Sequence, residues 1–102
     1  MHELTEDEVR RRFLKEVWGL IEYWENVYST PRMRLCGLAF SMLVMLDGGS
    51  NMPAFVVAPL PHEDDKAYCI EKGEDWFPEN HESNVRCNIS GSLHELFYKE
   101  CE

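Results

Sequence analysis

The stretch Arg32-Met33-Arg34-Leu35-Cys36-Gly37-Leu38-Ala39-Phe40-Ser41-Met42-Leu43-Val44-Met45-Leu46 decides the fold. Its first half suits a helix, whereas residues 40–46 are apolar on every side and read equally as a buried strand, so periodicity does not separate the two. The neighbours favour a strand. Asp47-Gly48-Gly49-Ser50-Asn51 is a turn cluster, and Phe55-Val56-Val57 beyond it has strand character between Pro53 and Pro59. The expectation is a β-hairpin pairing residues 40–46 with 54–58. The rival is one helix from 31 to 46 with Gly48 at its C-cap, which leaves the later strand without a neighbour.

Upstream, the signals are plainer. Thr5 and Glu8 form a capping box, with Leu4 and Val9 as a hydrophobic staple. Val9, Phe13, Val17, Leu20, Trp24 and Val27 then recur at spacings of three and four, and Leu14, Trp18, Ile21 and Tyr28 broaden that face. A helix from about 6 to 27 follows, with Asp7–Arg11 and Glu8–Arg12 as favourable i, i+4 pairs. Thr30 and Pro31 supply an N-cap and a first helical residue for the next element.

Downstream, acids at 63–65 and Gly73 bracket a short helix from 63 to 72, with Ala67, Tyr68 and Ile70 facing inward. Residues 73–88 read as a loop pinned by Trp76 and Phe77. Ser92-Leu93-His94-Glu95 repeats the capping-box pattern ahead of a C-terminal helix. The whole is expected to be α+β: a small single domain over residues 1–102, in which a long N-terminal helix packs with the hairpin and two further short helices. No internal repeat or linker divides the chain.

Composition excludes several roles. The chain has 102 residues, 44% of them hydrophobic, and 10 Lys plus Arg against 19 Asp plus Glu give a formal charge of -9. Such a balance disfavours direct binding to nucleic acid and anionic lipid. The apolar run 35–46 is too short for the roughly 20 residues of a membrane-crossing helix. The first residues, Met1-His2-Glu3-Leu4-Thr5-Glu6, lack the basic and apolar regions of a secretory signal, which points to a cytoplasmic protein. There Cys36, Cys69, Cys87 and Cys101 are expected to stay as free, mostly buried thiols.

No reactive signature is present. His81, Cys87, His94 and Cys101 carry the ligand types zinc prefers, but no two are closer than six residues, so buried thiols beside surface imidazoles are the simpler reading. The group 62–65, His62-Glu63-Asp64-Asp65, offers hard oxygen ligands, yet a solvated helical turn explains it as well. Glycine-rich phosphate cradles and G-x-S-x-G elbows are missing, Cys36 sits in an apolar stretch, and Asp47 and Ser50 are turn residues. Neither a cofactor nor catalysis is expected.

The acidic half remains. Residues 61–102 carry 11 acids against 4 bases, whereas residues 1–60 carry 8 against 6. Glu63, Asp64, Asp65, Glu71, Glu74, Asp75, Glu79 and Glu82, with Trp76 and Phe77 among them, form a candidate surface for a protein partner with a basic face. One form of this function is an inhibitor occupying a basic groove built for nucleic acid. Two other classes are a structural homodimer, and a metal-binding module or small enzyme using His62 to Asp65 or Cys87, His94 and Cys101.

Overall fold

The computed structural model describes residues 1–78 and 85–101. Among these residues four helices appear: α1 (Glu6–Glu25), α2 (Pro31–Leu46), α3 (Asp65–Lys72) and α4 (Leu93–Leu96), the last running into a 3₁₀ turn at Phe97–Glu100. There is no strand among the described residues. The α+β expectation and its hairpin are therefore overturned, and the helix from 31 to 46 takes their place.

The reason lies at the two ends of α2. The Thr30 hydroxyl accepts the N–H of Met33 at 3.2 Å, and Pro31 occupies the first turn, where its missing N–H costs no bond. At the other end Gly48 adopts a left-handed φ of 93°. Its N–H donates to the Met45 carbonyl at 3.1 Å and that of Gly49 to Val44 at 2.9 Å, a Schellman arrangement. The glycines that resemble a hairpin turn thus end a helix. Phe55 spends its N–H on the Leu46 carbonyl at 2.9 Å, and Pro53 and Pro59 have none to offer a ladder.

By its contacts the chain divides into two compact units, one of Met1–Phe55 with Arg86–Glu102 and the other of Val56–Val85. In the first unit α1 is central. Its capping box is formed, the Thr5 hydroxyl accepting from the Glu8 N–H at 3.2 Å and the Glu8 carboxylate from the Thr5 N–H at 3.0 Å. Residues 24 and 25 of α1 meet the start of α2, and residues 16 and 20 meet its end, so the two helices run antiparallel. Trp24 lies across Gly37, whose lack of a side chain makes room for the ring, and its indole N–H donates to Ser41 Oγ at 2.9 Å.

The C-terminal segment covers more of α1. Arg10 Nε donates to the Ile89 carbonyl at 2.9 Å, Glu6 accepts the Asn88 N–H at 3.0 Å, and Trp18 stacks on Phe97 with centroids 4.3 Å apart. Phe13 meets Phe55 edge to face at 5.3 Å. Leu14, Val17, Met45, Met52 and Ile89 are the buried residues of this unit. The ion pairs differ from the i, i+4 expectation: Asp7 pairs with Arg10, Glu8 with His2 and Arg11 with Glu100. Ser92 sits at φ -131°, ψ 19° and makes no side-chain cap, so the second capping box does not form and α4 lasts one turn.

In the second unit Gly73, at φ 72°, closes α3 by donating to the Ile70 carbonyl while Glu74 donates to Cys69. Cys69 is the buried residue of α3; Ala67, Tyr68 and Ile70 face solvent, opposite to expectation. One buried position per two turns is little apolar cover, and α3 is correspondingly short.

Candidate functional site

The acidic surface falls within the unit Val56–Val85. That unit holds eight carboxylates against Lys66 and Lys72, a formal -6 of the chain's -9. Glu63, Asp64, Glu71, Glu74 and Asp75 are exposed, and Asp65 is half-buried against Cys69, whose Sγ lies 3.9 Å from its carboxylate. Glu79 and Glu82 lie outside the described residues. Trp76 and Phe77 keep 46% and 61% of their surface in water, so the pair does not pin the loop by burial as expected.

The unit's two cations turn toward aromatic rings. Lys66 Nζ stands 5.9 Å from the Trp76 ring and Lys72 Nζ 5.9 Å from that of Tyr68. Lys66 thereby brings α3 against one face of Trp76, an exposed indole in the same carboxylate-rich unit. Burial pushes the Cys69 thiol up from its ordinary range, and the Asp65 and Glu74 carboxylates push it further. Both effects disfavour the thiolate.

The remaining candidates are not drawn together. His62 accepts the Asp64 N–H on Nδ1 at 3.1 Å and lies 3.6 Å from that carboxylate, all of it exposed. No group of three or more His, Cys, Asp or Glu side chains among the described residues is arranged to hold a metal ion, which includes Cys87, His94 and Cys101; His81 lies outside them. Cys36, Cys87 and Cys101 are exposed and only Cys69 is buried, which corrects the expectation of mostly buried thiols.

Two shallow recesses flank the α1–α2 contact. One, of about 290 Å³, is lined by Glu16, Ser41 and Ser50 among apolar side chains; the other, of about 260 Å³, by Trp24, Leu35 and Leu38 with Arg34. Ser41 already accepts from Trp24, and Ser50 Oγ accepts the Met52 N–H at 3.1 Å. Among the described residues no hydrogen bond joins Glu16 to either serine.

Sequence reasoning missed the outward face of α2. Leu35, Phe40 and Leu43 are 66%, 68% and 60% exposed, and Cys36 and Ala39 between them are also open to solvent. The signal was the absence of any charge from 35 to 46, which marks a helix with apolar side chains on more than its packed side. No helix among the described residues is long and apolar enough to cross a membrane. Comparison with protein-family models, curated proteins and solved structures yields no match to this chain.

Proposed function

We propose that this protein works by association, engaging the basic surface of a protein partner through the unit 56–85 in the cytoplasm. The observation that carries the reading is the coincidence of exposed Trp76 and Phe77 with five exposed carboxylates in one compact unit. Carboxylates steer and orient a cationic partner, and desolvating the two aromatics supplies the affinity that screened surface charge lacks. A groove built for nucleic acid has the complementary sign, so inhibition by occupancy is the specific form this association takes. Three exposed free thiols support a reducing compartment.

The test is capture from nuclease-treated lysate of the source cells with wild-type protein, with Trp76→Ala/Phe77→Ala, and with Glu71→Gln/Glu74→Gln/Asp75→Asn. A partner retained at low salt by wild type alone, and then displaced from its nucleic acid by added protein, is the expected result. Equal retention by all three proteins contradicts the reading.

A further inference from the structure

The outward face of α2 is independent of the acidic unit, and its pattern specifies what covers it. Arg32, Cys36, Ala39, Leu43 and Asp47 recur at three and four residues along one exposed stripe, flanked by Leu35 and Phe40. The stripe is symmetric about the midpoint between Ala39 and Phe40: Arg32 and Asp47 lie equally far from it, as do Cys36 and Leu43. Arg32 and Asp47 are fifteen residues apart, about 22 Å along the axis.

Within their own helix these two charges are misplaced. The first turn of α2 holds Arg32 and no acid, and Asp47 follows a last turn without a base, so each opposes the helix dipole. We infer that α2 pairs with α2 of a second copy, antiparallel about a two-fold axis at residues 39 and 40. In that register Arg32 meets Asp47 and the C-terminal carbonyls of the other copy at both ends. Cys36 packs against Leu43, and the Phe40 ring fits over small Ala39. The charges that oppose one helix then favour the pair. A parallel pair would set Arg32 on Arg32 and Asp47 on Asp47.

Sedimentation of the full chain tests this. Wild type is expected to pass from monomer to dimer between about 1 µM and about 200 µM, and Phe40→Glu to raise the dissociation constant at least about a hundredfold with an unchanged circular dichroism spectrum. Arg32→Asp and Asp47→Arg are each expected to weaken the dimer about tenfold while raising the monomer's thermal stability, and the double variant to restore the dimer. Alkylation of Cys36 is expected to slow as protein concentration rises, while that of Cys87 does not. A chain still monomeric at about 200 µM, a dimer indifferent to Phe40→Glu, or a charge swap without rescue overturns the inference. So does a monomer that binds phosphatidylcholine vesicles through Phe40.

Discussion

Trp18 holds Phe97 twice, stacking on its ring at an interplanar angle of 16° and donating its indole N–H to the Phe97 carbonyl at 2.7 Å. The two residues are 79 positions apart, and this contact, with Arg10 on Ile89, docks the C-terminal segment on α1.

Replacing Phe97 with Ala is expected to cost about 2 kcal/mol, less than a fully buried aromatic because the ring is half-exposed. Trp18→Phe keeps the stacking and loses the hydrogen bond, at about 1 kcal/mol. Urea denaturation measures both; an unchanged midpoint for Trp18→Phe would mean that the hydrogen bond carries no weight.

Gly37 and Gly19 give opposite results when changed to Ala. A Cβ at Gly37 overlaps the Trp24 ring, so the ring must move and release Ser41, at a cost of about 1–3 kcal/mol. At Gly19 a Cβ meets nothing within 4 Å, and the substitution is expected to stabilise α1 by roughly 0.5–1 kcal/mol. Thermal melts of the two variants should move in opposite directions.

Glu8 links α1 to pH. The Thr5 N–H, then His2, hold its carboxyl at about 2, down from 4.5. A depressed carboxyl stabilises the fold above its unfolded value and ceases to do so once protonated in both states. The stability gap between wild type and Glu8→Gln is therefore expected to be full above about pH 4.5 and to close as pH falls toward about 2. Denaturation midpoints across that range check it, and a gap independent of pH contradicts it.

The thiols should separate by rate. At low micromolar protein, iodoacetamide is expected to label Cys36, Cys87 and Cys101 well before Cys69, whose burial and neighbouring carboxylates suppress the thiolate. Mass spectrometry of timed samples reads the order, and early labelling of Cys69 would show that α3 is open.

What could be read from residues alone follows from where the signals were local. Thr5 with Glu8, and Gly73 after Lys72, mark helix ends by hydrogen bonds made within a few residues, so α1 and the end of α3 were legible. In residues 40–46 every position is apolar, so a pattern cannot report which side is packed, and Gly48 and Gly49 serve a helix end as readily as a hairpin. The caps of α2 at Thr30 and at Gly48 and Gly49 close the helix, and Trp24 packing on Gly37 adds a tertiary contact that no local pattern encodes. The acidic run was visible in composition, but the exposure of Trp76 and Phe77 and the unpaired face of α2 were not, because solvent exposure is a property of the assembled chain.

The most direct test of the association account is the dissociation constant of the captured partner, measured by calorimetry between about 50 and about 300 mM salt, over which the screening length falls from about 14 to about 6 Å. Binding that weakens at least about tenfold for wild type, and is lost for Trp76→Ala/Phe77→Ala at every salt concentration, is the predicted result. A constant that does not move with salt, or survives loss of both aromatics, contradicts it.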